Sequence, residues 1–343
     1  MRPAVLAAAF AAFVTGTNAA SAAAPDYVIT RSVPIGVPDR WDYVTFAPQS
    51  GRLYVAHGSE TTILDGRDGH TIGRLAPLDG AHGQVVRPAL GRAYADSGKA
   101  GDVSVFALGT ARLLATLPAQ PDADAMVDDP ASGRIFVMDG DSGTITAIDA
   151  AADRVAGTID LHAGALEFAA ADGRGHLFVN LAAARGVAEI DTRTLRETGR
   201  FALPDCTSPH GMAYDRATRR IFTSCVDGWL DVLDARSGRE VARLPIGRGS
   251  DAVVLDARRR RVFSSNGDGT LSVIPIGDQA HFGPVTTIRT EPGARTLALD
   301  PASGRLFSVT ADIAGQDPPH VPGSAPRWRF KPGTVRVLFL DPR

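Results

Sequence analysis

Apolar and polar residues along this chain follow one recurring pattern. Short stretches alternate with period two, four to a unit, and are separated by Gly, Asp, Ser and Asn. Alternation at every second residue marks half-buried strands, and the residues between them are turn formers. Residues 210–246 show one unit in full: HGMAYD (210–215), IFTS (221–224), LDVLDA (230–235) and EVARLPI (240–246). The third stretch recurs as TTILDG (61–66), VSVFAL (103–108), ITAIDA (145–150), VAEIDT (187–192), LSVIPI (271–276) and VRVLFL (335–340). The second carries an aromatic at Tyr54, Tyr94, Phe136, Phe178, Phe222, Phe263 and Phe307, in steps of 40, 42, 42, 44, 41 and 44 residues. A period of about 40–45 residues with four strands per unit is that of a radial blade. The pattern therefore predicts an all-β, seven-bladed β-propeller of four-stranded antiparallel blades.

The seventh unit ends after its third strand, at Arg343, whereas VITRSVPI (28–35) has the fourth-strand pattern with no strands before it. The N-terminal strand is expected to complete the last blade in a three-plus-one closure, which removes open sheet edges. Residues 23–343 are read as one propeller domain. Upstream, Arg2, the apolar run 4–14 and the small residues Ala20-Ser21-Ala22 read as a signal peptide over residues 1–22. Its apolar run is shorter than the roughly 20 residues a membrane span needs. A periplasmic protein without a membrane span is the expectation. In an exported chain Cys206, just before an innermost strand, and Cys225, at the end of the next strand, are expected to form a disulfide.

A net charge of −2 and a pI near 6.4 give no field that favours nucleic acid. The dense basic run Arg258–Arg261 is read as a solvated loop, and His57, His70 and His281 as surface residues. With no coiled coil or tail, a monomer is the default.

Candidate chemistry follows from the register. Innermost strands converge on the central axis, so the residues that open them should face it. Counting back from the repeat aromatics gives Asp42, His82, Asp124, Glu167, His210, Asp251 and Arg295, with the fourth loop one residue shorter. All seven can ionise. Carboxylates crowded in a narrow channel must be offset by a cation, by protonation, or by Arg295 and the histidines. Asp42, His82, Asp124, Glu167, His210 and Asp251 offer oxygens and imidazoles to a divalent metal ion of unspecified identity. The same groups could instead hold a small polar ligand, or fix the geometry between blades. In an enzymatic alternative, His82 or His210 is general base with Glu167 or Asp251 oriented behind it, and Arg295 stabilises a developing anion; lactone hydrolysis or elimination from an acidic sugar would fit. A further alternative is a protein-interaction scaffold.

The last repeat inserts residues 310–334 between its second and third strands, where other repeats use a few residues. Connections beyond about 12–15 residues are often functional. This one carries His320, Arg327 and Trp328, and a partial lid over the channel mouth is expected.

Several segments carry a family resemblance: WDYVTF (41–46), AHG (81–83), LEFAAADG (166–173), SDAVVLDA (250–257), FSSNGDGTLSV (263–273) and GARTLALDP (293–301), with YVAH (54–57) and FVNL (178–181) echoing the family's name motif. Over essentially the whole mature chain the sequence resembles the YVTN-repeat β-propeller proteins, in particular an exported bacterial subgroup. The resemblance implies seven blades and a periplasmic location, and it implies no single reaction. It also implies a hydroxyl residue at the fifth ring position, where this chain has His210. Metal-assisted lyases and lactonases share this general shape, so fold alone does not choose among activities.

Overall fold

The computed structural model describes residues 27–278 and 281–343; the expected signal peptide lies outside them. Among the described residues, seven four-stranded antiparallel sheets follow one another along the chain. The first comprises Val44–Ala47, Arg52–His57, Glu60–Asp65 and Thr71–Leu75, and blades two to six repeat that order. The seventh joins Ala298–Leu299, Leu306–Thr310 and Arg336–Pro342 to the N-terminal strand Tyr27–Pro34. Ile29 pairs with Leu340 and Val33 with Val337, so the expected three-plus-one closure is present. No helix among the described residues is long and apolar enough to cross a membrane.

The repeat aromatic explains why the blades stack. Each falls in a different hydrophobic cluster between its own blade and the next: Tyr54 between blades one and two, Tyr94 between two and three, and Phe136 between three and four. Phe178, Phe222 and Phe263 continue the series. Phe307 then packs blade seven against blade one, beside Phe46 at 5.4 Å and Phe339 at 5.1 Å. All seven rings are buried. One aromatic per interface is thus the element that the period of the sequence encodes.

Acidic residues five positions after the ring register cap the first hairpin of their blades. Asp129, Asp215, Asp256 and Asp300 each accept a hydrogen bond from the backbone amide two residues on. Such Asx turns fix the loop without a large side chain.

Two expectations are corrected. His57 is fully buried rather than superficial: it ends the second strand of blade one, its Nδ1 lies 3.1 Å from Thr62 Oγ1, and burial lowers its pKa. His70 and His281 are exposed, as expected. The basic run is not simply solvated either. Arg260 pairs with Asp215 of the preceding blade at 2.9 Å, and Arg259 pairs with Asp256 at 2.8 Å while donating to Ala302 O of the next blade at 3.0 Å. These guanidiniums tie blades five, six and seven together.

Cys206 and Cys225 form a disulfide with a Cα–Cα distance of 5.2 Å, as the sequence predicts. The buried Asp231 carboxylate lies close to both sulfurs, but sulfurs bonded to each other are not available as thiolate ligands, so this group holds no metal while the bridge persists.

Candidate functional site

Four innermost strands are irregular at the ring register. One extra residue is accommodated between Ala123 and Ala125, between Leu166 and Ala169, between Pro209 and Met212, and between Ser250 and Ala252. These bulges contain Asp124, Glu167, His210 and Asp251. A bulge breaks the alternation of the strand and re-aims a side chain, which turns these four away from the blade-to-blade interfaces. In blade one, Asp42 N and Tyr43 O both bond to Ala56, so two residues again face one partner.

The seven predicted residues divide into three groups. His82 Nδ1 lies 2.9 Å from Asp42 Oδ2 and 3.3 Å from Asp124 Oδ1, linking blades one, two and three. His210 Nε2 lies 3.2 Å from Glu167 Oε1, linking blades four and five. Arg295 Nε lies 3.3 Å from Asp251 Oδ2, linking blades six and seven. The six expected metal ligands therefore do not form one ligand set. Only Asp42, His82 and Asp124 bring three ligand atoms within 4.8 Å of one another. Glu167, His210 and Asp251 stand outside that group.

Burial sets the charge of each group. At His82 burial opposes the charged form, but the hydrogen bonds to Asp124 and Asp42 outweigh it and raise its pKa to about 11. Burial, with the nearby Asp42 carboxylate, raises Asp124 to about 7 against the pull of His82. Burial and the carboxylates of Asp124, Asp251 and Asp42 push Glu167 well above the usual range, while burial lowers His210. The contacts of His210 agree with those directions. His210 Nδ1 lies 3.0 Å from Ser208 O and must donate to it, so a neutral ring presents Nε2 as an acceptor. Nε2 then faces Glu167 Oε1 at 3.2 Å, and the raised Glu167 and lowered His210 both favour their uncharged forms.

Backbone packing holds the two histidines in place. Buried Asp96 accepts hydrogen bonds from the amides of His82 and Gly83, both at 2.8 Å. Asn180 Nδ2 donates to His210 O at 2.6 Å. Each histidine is followed by a glycine at a close approach between inner strands. A Cβ on Gly83 would lie 2.5 Å from Asp124 O, and one on Gly211 would lie 2.7 Å from Val253 N. Only glycine admits such contacts.

One residue further along the innermost strands, Tyr43 and Phe168 have ring centroids 4.4 Å apart. They come from blades one and four, which are not neighbours, so their contact spans the axis and floors the space beside the ring residues. The side chains that form this floor were not singled out from sequence; their only signal was adjacency to Asp42 and Glu167.

Two depressions open on the side where the innermost strands begin. One, about 690 Å³, lies over blades one to three and includes Asp42, His82, Lys99 and Asp122. The other, about 450 Å³, includes His210, Asp251 and Arg295. Residues 39–42 line both and stand between them. The long insertion borders the second. It contains a hairpin, Ile313–Asp317 with Arg327–Phe330, that the sequence reading did not foresee. Trp328 Nε1 donates to Gly267 O at 2.7 Å, Phe330 packs edge-on to Trp41 at 4.8 Å, and Arg248 donates to Gly323 O. His320, Arg327 and Trp328 all line this depression, with Arg327 Nη1 2.8 Å from His320 Nε2.

No family model matches the chain, and no curated protein does. Among solved structures, a chain of the "Crystal Structure of Mitotic Checkpoint Complex" matches with a TM-score of 0.72 at 14% identity, covering 98% of each chain. A chain of "Kuenenia stuttgartiensis Hydrazine Synthase" matches with a TM-score of 0.67 at 14% identity, covering 87% of this chain and 96% of that one. At such identity the likeness establishes the seven-bladed propeller and nothing about activity.

Proposed function

We propose that this chain is an exported, periplasmic YVTN-type propeller that binds a divalent metal ion through Asp42, His82 and Asp124 at the mouth of its central channel. The observation that carries the reading is the spacing of the three ligand atoms, with His82 Nδ1 at 2.9 and 3.3 Å from the two carboxylate oxygens. Four-coordinate metal–ligand bonds of about 2.0–2.1 Å place neighbouring ligand atoms about 3.3 Å apart. The ion would take the place of the proton now shared by these groups. About a fifth of each side chain is exposed, which leaves room for a fourth ligand from solvent. One imidazole and two carboxylates suit zinc, manganese, iron or nickel better than calcium, which takes six to eight oxygens. The disulfide supports export, since such bridges persist in oxidising compartments.

Binding is favoured over catalysis by the engaged state of the ring. A general base needs a free lone pair, yet His82 Nδ1 is turned to two carboxylates that keep it protonated, and His210 Nε2 lies against the Glu167 carboxyl at 3.2 Å. The test is metal analysis of protein recovered from the periplasm, followed by calorimetric titration of chelator-treated protein with zinc, manganese and nickel. One ion per chain, lost in His82→Ala and in Asp124→Asn, is expected. Absence of stoichiometric binding in the folded wild type would remove the metal site.

A further inference from the structure

The second depression has a different chemistry from the cation site. Its carboxylates already have partners: Asp251 faces Arg295, Asp42 faces His82, and Asp39 accepts from Gly333 N. Its guanidiniums are less occupied. Arg295 pairs with Asp251 through Nε at 3.3 Å, its side chain is 53% exposed, and none of its guanidinium nitrogens makes a hydrogen bond among the described residues. Arg327 donates only to His320 and Pro318 O, with no carboxylate among its described partners. The terminal amino groups of a guanidinium form a two-donor fork that matches a carboxylate.

The cavity also carries apolar surface. Trp41, Trp328 and Phe330 line the same space, and Trp328 is fixed by its hydrogen bond to Gly267. A cavity of about 450 Å³ falls in the size range of small-ligand sites, roughly 300–1,000 Å³, which combine apolar walls with a few placed polar groups. Glu167 and His210 both favour their uncharged forms and add no charge to oppose an anion. Asp251, 3.3 Å from the fork-bearing side chain, disfavours a dianion such as phosphate over a single carboxylate.

We infer that this cavity is a binding site for a small ring-bearing organic carboxylate, its carboxylate held by the terminal amino groups of Arg295 and its ring lying against Trp41, Trp328 and Phe330. The site shares Asp42 with the cation site in its lining, but its fork comes from Arg295 of blade seven, which belongs to no cation ligand set.

The inference is tested on the full mature chain in the presence of EDTA, which separates it from the metal reading. Benzoate and glucuronate are titrated calorimetrically beside their uncharged counterparts benzamide and glucose, and beside inorganic phosphate. Expected is saturable binding of at least one carboxylate, at least tenfold tighter than its neutral counterpart and than phosphate. Arg295→Gln should weaken it tenfold or more and Arg295→Lys less, while Trp328→Leu should weaken it about fivefold. If Arg295→Gln does not fold, the Arg295→Lys and Trp328→Leu titrations decide. Failure of both carboxylates to bind, equal binding of neutral counterparts or phosphate, indifference to the folded Arg295 variants, or loss of binding in EDTA would each overturn it.

Discussion

If a divalent ion replaces the shared proton of Asp42, His82 and Asp124, binding must release that proton, and affinity must rise with pH. In the metal-free protein His82 holds its proton up to about pH 11, because hydrogen bonds to Asp124 and Asp42 outweigh the penalty of burial. At pH 7 the ion therefore competes against about four pH units of proton affinity, on the order of 5 kcal/mol. Between pH 7.5 and 9.5 one proton leaves per ion bound, so the dissociation constant should fall about tenfold per pH unit, roughly 100-fold over the window. Below about pH 7 Asp124 also carries a proton, and the dependence should steepen toward two protons per ion. Calorimetry with nickel at pH 8 in two buffers of different ionisation enthalpy counts the released protons directly. A dissociation constant that does not change from pH 7.5 to 9.5, or a proton count of zero, would refute the argument. The sign for stability runs the other way. The folded pKa of His82 lies above its usual 6.5, so its contribution to the metal-free fold is complete below about pH 6.5 and is lost as pH rises toward 11.

Phe307→Ala opens the interface that closes the ring between blades seven and one, and should cost about 3–5 kcal/mol in urea unfolding. Gly211→Ala forces a Cβ to 2.7 Å from Val253 N, and overpacking of this kind should cost about 1–3 kcal/mol by the same measurement. Replacing Cys206 and Cys225 together by serine frees a loop with a sequence separation of 19, and a loss of about 3 kcal/mol relative to the oxidised protein is expected. Burial raises Asp139 to about 6 despite hydrogen bonds from Thr146 and Thr144, so its contribution is present below its usual 3.8 and lost as pH climbs through 6. Asp139→Asn should flatten that part of the stability profile, and an unchanged profile would contradict the assignment.

The blade count, the closure and the disulfide were legible because each rests on a repeated local demand. A strand alternates, a hairpin needs its turn residues, and every interface between blades needs one large ring, so the aromatics from Tyr54 to Phe307 recur at nearly constant spacing. The ring positions were countable for the same reason: the distance from an aromatic to the start of its innermost strand scarcely varies. Their pairing was not legible. Grouping into Asp42–His82–Asp124, Glu167–His210 and Asp251–Arg295 depends on bulges that shift a side chain by one position. The burial of His57, the anchoring of Trp328 on Gly267 and the contact of Trp41 with Phe330 join segments far apart in sequence, where no spacing rule operates.

A physical division between scaffold and site follows from these particulars. A position that faces a neighbouring blade meets the same environment seven times, so packing holds it to one residue type, and Phe222 and Phe263 are interchangeable in kind. A position that faces the axis meets other blades only through the polar contacts among the ring residues. Packing does not constrain it, and residues as different as Asp42, His82 and Arg295 occupy equivalent places. Variation at a fixed register within a strictly repeated frame is therefore where ligand chemistry can be written without cost to the fold. By that logic substitutions at Arg295 should alter binding and leave the unfolding midpoint nearly unchanged, whereas those at Phe307 should do the reverse. A large loss of stability in Arg295→Gln would show instead that the ring is part of the scaffold.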